Sequence, residues 1–173
     1  MEGATGWTIA QRPPSLPVMT KAPIRVLAVC MGNICRSPTA EAAILEAARD
    51  VGLHIEVDSA GTGAWHEGEP PDARMTRAAA EVGLHLNGAA RQFDPSDFDR
   101  FDLILAMDTN NHQNVVAMAP NRAAAEKVQM FRSYDPAAED LDVPDPYYGG
   151  EQGFHDVVAM VRAAAGGLVR SLL

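Results

Sequence analysis

Ile24-Arg25-Val26-Leu27-Ala28-Val29-Cys30-Met31-Gly32-Asn33-Ile34-Cys35-Arg36-Ser37-Pro38 changes character twice within fifteen residues. Residues 24–29 are nearly all apolar, as a strand buried on both faces must be. The loop 30–36 breaks that run, and its Gly32 and Asn33 tolerate positive φ, which lets the backbone curl. Ser37 then reads as a helix N-cap and Pro38 as the first helical residue. An apolar stripe at helical spacing follows (Ala40, Ala43, Ile44, Ala47, Ala48, Val51), with Gly52 as the stop. Strand, curled loop and helix in direct succession open an α/β fold.

Moving outward, the pattern repeats. A second strand is predicted over 54–59, a Gly- and Pro-containing loop over 60–71, and a helix over 73–82 with Met75, Ala78, Ala79 and Val82 on one face. A third strand fits 103–107, a helix 110–119 stopped by Pro120, and a short fourth strand 128–131. Residues 133–150 are rich in Asp, Pro and Tyr and read as a loop. The last helix is expected over 153–172, fraying near Gly166 and Gly167 because each costs about 1 kcal/mol against alanine. Strands alternating with helices imply a parallel sheet covered on both faces, with ligands at the carboxyl ends of its strands. The loop after the first strand lies at such an end. Residues 1–22, with Pro13, Pro14 and Pro17 and no apolar periodicity, are expected to be a flexible extension ahead of a single domain, 23–173.

The chemistry concentrates in the first loop. Five residues separate Cys30 from Arg36, between a strand end and a helix N-terminus. A backbone curled there turns several N–H groups inward, and the helix adds its partial positive charge, making a cradle for a dianion. The same field favours the thiolate form of Cys30, the form that attacks. Arg36 supplies a planar fork able to hold two phosphate oxygens. The Ser37 hydroxyl has two jobs open to it, capping the helix and donating to the sulfur. A cysteine and an arginine at this spacing are common alone; the strand before them and the Ser-Pro helix start after them make the pattern specific.

Composition bounds the rest. A net charge of −9 argues against nucleic acid or anionic membrane as partner. Phosphate binding therefore has to rest on local donors. No apolar run approaches the roughly 18 residues of a membrane span. The N-terminus has neither basic head nor apolar stretch, so no secretory signal is expected and the location read is cytoplasmic. Two cysteines, Cys30 and Cys35, are too few and too close for a disulfide scaffold. His54, His85, His112 and His155 lack ligand spacing, and no metal is expected.

These residues resemble the low-molecular-weight protein-tyrosine phosphatases. The similarity runs from Ile24 to the C-terminus: the 29–38 loop, Asp58-Ser59-Ala60-Gly61-Thr62, Gly68-Glu69-Pro70-Pro71-Asp72, Ala90-Arg91-Gln92, Phe101-Asp102-Leu103-Ile104-Leu105, Met107-Asp108 with Asn111, and Asp145-Pro146-Tyr147-Tyr148. The resemblance implies a three-layer fold with a four-stranded parallel sheet flanked by helices, and a phosphate-binding loop between the first strand and first helix. It implies no metal and no cofactor. The activity implied is hydrolysis of phosphotyrosine and small aryl phosphates through a cysteinyl-phosphate, with phosphotyrosine proteins as partners (a bacterial tyrosine kinase among them) and a monomer or weak dimer as the assembly.

Roles follow by the same resemblance. Cys30 is the nucleophile, Arg36 the phosphate clamp, and Asp145 the acid that protonates the leaving phenolate and then activates water. Residue chemistry by itself does not choose Asp145 over Asp135, Asp140 or Asp142. Met31, Gly32, Asn33, Ile34, Cys35 and Ser37 line the phosphate loop. Trp65 and Tyr147 are expected as aromatic walls of a slot, though Trp65 also reads as an aromatic packed on the core, and Tyr148 as wall or solvent-exposed. Asn33 holds the loop through its amide, and Asp108 reads as a buttress of the rim or as a helix cap. Gly88 stands where eukaryotic members often have a histidine supporting that loop. Cys35 reads either as a thiol that traps oxidised Cys30 in a disulfide or as a small buried filler.

Three rival functions share parts of this pattern. A thioredoxin-coupled arsenate reductase relays a disulfide through later cysteines, and none follows Cys35. Phosphoarginine phosphatases tend to have threonine where this chain has Ile34. A non-catalytic phosphate-binding module would need neither thiolate nor acid.

Overall fold

The computed structural model describes residues 21–173. The extension expected at the N-terminus lies, apart from Lys21 and Ala22, outside them. The elements are β1 (Ile24–Cys30), α1 (Arg36–Asp50), β2 (Ile55–Gly61), α2 (Ala73–Ala80), α3 (Asp97–Arg100), β3 (Leu103–Ala106), α4 (Thr109–Ala117), α5 (Arg122–Glu126), β4 (Val128–Met130), a 3-10 turn (Phe131–Tyr134) and α6 (Glu151–Leu172). The sheet order is β2-β1-β3-β4, every pairing parallel.

β1 is the centre of the sheet, paired along its length with β2 and over four residues with β3. Its side chains alternate between two cores, as a pleated strand requires. Val26 and Ala28 pack with Ile44 of α1 and Val157 and Val161 of α6, while Leu27 and Val29 pack with Phe93, Phe98 and Val115 on the other face. With both faces covered, an unbroken apolar run is what the position demands. The chain leaves β1 toward β2, then returns across it to β3, so the carboxyl end of β1 is the point where strand order reverses.

Several boundaries differ from expectation for local reasons. α1 begins at Arg36 with Cys35 as N-cap and no side-chain capping bond, so Ser37 is inside the first turn instead of capping it. Its first N–H groups are thereby left for the loop's ligand. Of Gly32 and Asn33, only Asn33 adopts positive φ, at 55°. β2 continues to Gly61 because Gly61 pairs with Cys30 and bonds through its N–H to Arg91 and through its carbonyl to Phe93. α3, α5 and the 3-10 turn are too short to display a hydrophobic period. α6 does not fray at its glycines: Leu168 and Val169 are buried, and a Cβ on Gly167 would collide with the Tyr134 carbonyl.

Candidate active site

Cys30, the last residue of β1, is 2% exposed. Its sulfur accepts the Asn33 backbone N–H at 3.2 Å and lies 3.0 Å from the Ser37 hydroxyl. Asn33 shapes the loop from both ends of its amide. Nδ2 donates to Ser37 Oγ at 2.8 Å and to Ser59 Oγ at 3.0 Å, while Oδ1 accepts the Arg91 N–H at 2.9 Å. With the Asn33 amide donating to Ser37, the single Ser37 hydrogen has two acceptors in reach, the Cys30 sulfur at 3.0 Å and the Ala60 carbonyl at 3.4 Å.

The network ends on Glu41, whose Oε2 accepts the Ser59 hydroxyl at 2.7 Å. Burial pushes the Glu41 carboxyl above its ordinary range, with the Ser59 bond opposing. Arg91 is itself held by Asp58 and by the fully buried Asp97. Gly88 contributes only a positive-φ turn, so Ser59, Glu41 and Arg91 brace Asn33 here.

Arg36 enters from the first turn of α1, its side chain 3% exposed. Nη1 donates to Asp108 Oδ2 at 2.5 Å and to the Val143 carbonyl at 3.1 Å, and Nη2 to Asp145 Oδ2 at 3.4 Å. Burial works against the charge, yet the facing Cys30 sulfur, the Asp108 bond and Asp145 together hold its pKa above the ordinary arginine value. Asp108 serves in both expected ways, since its other oxygen caps α4 by accepting the Asn111 N–H at 2.7 Å. Cys35 is 4% exposed, and burial, then the charges of Asp72, Cys30 and Asp145, push its thiol far above the ordinary range.

The pocket over the sulfur has a volume of about 60 Å³, the scale of one phosphate group, and Asp145 is a wall of it. Asp135, Asp140 and Asp142 do not line it; their side chains bond backbone N–H groups in the 135–142 turns and at Thr109. Met31, Gly32, Ile34 and Cys35 form the rim and floor with Tyr147 and Tyr148. Tyr147 is fixed from behind by Arg74, whose guanidinium lies 5.3 Å from its ring centre and 4.8 Å from that of Phe154. Tyr148 is 90% exposed.

The side chain facing Tyr147 is His66, their ring centres 5.8 Å apart and its Nδ1 2.8 Å from Glu69. A Cβ on Gly32 would sit 3.1 Å from the His66 ring, so a glycine is what lets that ring close over the loop. Trp65 does not line this pocket; it lies in an adjoining groove. His66, Glu41 and Arg74 escaped the sequence reading. The signal for Glu41 was its place four residues after Ser37, one turn along the same helix face. His66 is next to Trp65 in a loop whose side-chain directions no period governs. Among the described residues, no group of three His, Cys, Asp or Glu side chains could hold a metal ion.

A parallel sheet with a thiol at its switch point, met by the Asn33 amide and flanked by a buried arginine, defines the class: an α/β phosphatase. Residues 25–173 match the model of the family described as low molecular weight phosphotyrosine protein phosphatase. A low molecular weight protein-tyrosine-phosphatase of Streptomyces coelicolor is 50% identical over 152 residues, covering 86% of this chain and 93% of the relative. The crystal structure of a protein tyrosine phosphatase from Entamoeba histolytica superposes with a TM-score of 0.83 at 36% identity, covering 86% of this chain and 96% of that one. A Drosophila arginine phosphatase superposes with a TM-score of 0.81 at 33% identity, covering 86% and 98%. The chain belongs to the low molecular weight phosphotyrosine protein phosphatase family.

Proposed function

We propose that the protein hydrolyses phosphotyrosine and small aryl phosphates in two steps at Cys30. The sulfur attacks phosphorus, the bond from phosphorus to the aryl oxygen breaks, and Asp145 delivers its proton to the departing phenolate. Water then attacks the phosphocysteine, Asp145 takes a proton from it, and the sulfur–phosphorus bond breaks to release inorganic phosphate. Arg36 and the loop amides hold the equatorial oxygens throughout. One observation carries this reading: Cys30 and Arg36 of the first loop and the distant Asp145 line a single pocket the size of a phosphate group.

The tyrosine preference is supported by the aromatic rim of the pocket, His66, Tyr147 and Tyr148, against which an aryl ring on the phosphate can pack. The substrates are then phosphotyrosine proteins, a bacterial tyrosine kinase among the candidates. Both cysteines are free thiols, in keeping with a reducing, cytoplasmic location, and we infer a monomer or weak dimer. No described helix is long and apolar enough to cross a membrane. Rapid quench with an aryl phosphate, followed by mass mapping, should find the phosphoryl group on Cys30. A phosphoryl group on any other residue, or full turnover by Cys30→Ser, would sink the mechanism.

A second reading, phosphoarginine hydrolysis, is favoured by the likeness to the Drosophila arginine phosphatase. Ile34 in the pocket wall speaks for an aryl ring over a guanidinium. Rates on phosphoarginine and phosphotyrosine under one set of conditions decide between them.

A further inference from the structure

Beside the catalytic pocket a second cavity of about 600 Å³ shares Met31, Arg36 and Asp145 with it and runs out along α4. One bank is Trp65, 75% exposed; the other is α4, with Asn110, Asn111 and Asn114. Asn111 is 2% exposed, and no donor among the described residues reaches its Oδ1. Asp108, also in the wall, spends one oxygen on Arg36 and the other on the Asn111 N–H, and each oxygen retains a second acceptor site. Among the described residues Arg36 is the single cation of the wall, and it is turned toward Asp108 and Asp145. Among the described residues the groove therefore presents two carboxylates, neutral amides and an indole face, with its one cation already paired.

We propose that this groove receives the residue flanking the phosphotyrosine and selects a cationic side chain there, arginine or lysine. The inference rests on the phosphotyrosine reading and names the substrate sequence that reading leaves open. A guanidinium or ammonium over the Trp65 face gains from the ring quadrupole, while its stem covers Met31 and Met118. Its N–H groups meet the remaining acceptor sites of the part-exposed Asp108 carboxylate. An acidic flank would face Asp108, Asp145 and a net charge of −9. Because the two cavities share Met31, Arg36 and Asp145, a side chain beside the phosphotyrosine lies within reach of the groove.

The test uses three phosphotyrosine peptides identical except for arginine, leucine or glutamate on both sides of the phosphotyrosine, with free phosphotyrosine as reference. The arginine peptide should exceed the glutamate peptide in kcat/KM by about tenfold at low salt, with leucine between, and the ratio should shrink in roughly 0.5 M salt. Asn114→Lys, on the exposed side of α4, should reverse the arginine-to-glutamate order. The readout is a ratio within one preparation, so a general loss of activity cancels. Equal rates on the three peptides, leucine above arginine, or an unaltered ratio in Asn114→Lys overturns the groove assignment alone. Failure of the wild-type protein on free phosphotyrosine overturns the proposed function and this inference with it.

Discussion

Nη2 of Arg36 lies 3.4 Å from Oδ2 of Asp145, so the clamp and the proposed acid touch before any substrate arrives. Nη1 is held more tightly, at 2.5 Å, by Asp108. Asp108 thus fixes the guanidinium plane, and the looser Asp145 contact is the one a phosphate oxygen can displace. The other Asp145 oxygen accepts the Tyr147 N–H at 3.1 Å, which orients the carboxyl in the pocket wall.

Asp145→Asn keeps the shape of that carboxyl and removes its proton. It should slow phenyl phosphate by about a hundredfold or more, and barely slow substrates whose phenolate leaves unaided. Kinetics over a series of leaving groups checks this. An equal loss across the series would mean that Asp145 is not the acid.

Arg36→Lys preserves charge but not the fork that spans Asp108, Val143 and Asp145. We expect kcat to fall by about a hundredfold or more, because a point charge cannot follow two oxygens through the transition state. Near-normal kcat with a raised KM would instead assign Arg36 to ground-state binding.

Gly166 and Gly167 are neighbours with opposite expected responses to alanine. Gly167→Ala drives a Cβ into the Tyr134 carbonyl and should cost about 1–3 kcal/mol. Gly166→Ala meets only the flexible end of Arg170, at 3.3 Å, and should gain about 0.5–1 kcal/mol of helix stability. Urea denaturation of the two variants distinguishes them; similar losses in both would refute the packing account.

Glu41 makes stability depend on pH. Burial raises its carboxyl, so the folded protein binds that proton more tightly than the unfolded chain does. The stability it lends is complete below the unfolded glutamate pKa of about 4.3 and is lost as pH rises through the higher folded value. Glu41→Gln still accepts from Ser59 and does not ionise, so its stability relative to wild type should climb across that window. Urea midpoints from about pH 4 to about pH 8 measure it; parallel curves would rule it out.

Cys35 lines the same pocket as Cys30, with its thiol kept protonated by burial. Iodoacetamide near neutral pH should therefore modify Cys30 and spare Cys35. If Cys35 traps oxidised Cys30 as a disulfide, Cys35→Ser should recover less activity than wild type after peroxide and thiol treatment. Equal recovery would leave Cys35 as a packing residue.

How much of this was readable in advance depended on how far apart the interacting groups stand in the chain. The loop from Cys30 to Arg36 was legible because strand, curl and helix start are consecutive, and each is governed by local torsional and periodic preferences. The same locality made the four strands visible and hid α3 and α5, whose few residues complete no period. Even within the loop, the sequence left Ser37 two roles, cap or partner of the sulfur, and the built helix put Cys35 at the cap and the Ser37 hydroxyl 3.0 Å from the sulfur.

The amino-acid order by itself determined a buried first strand, a cysteine at its end and an arginine at the mouth of the following helix. Tertiary structure decided which acid stands over that cysteine. Asp145 is 109 residues from Arg36, and the four aspartates in its segment are chemically alike. It also put His66, not Trp65, opposite Tyr147, and closed the Asn33 amide between Ser59 and Arg91. The reason is physical: backbone preferences act over a few residues, whereas these meetings are set by sheet register and by loops folding across the carboxyl edge, where packing alone selects the partner.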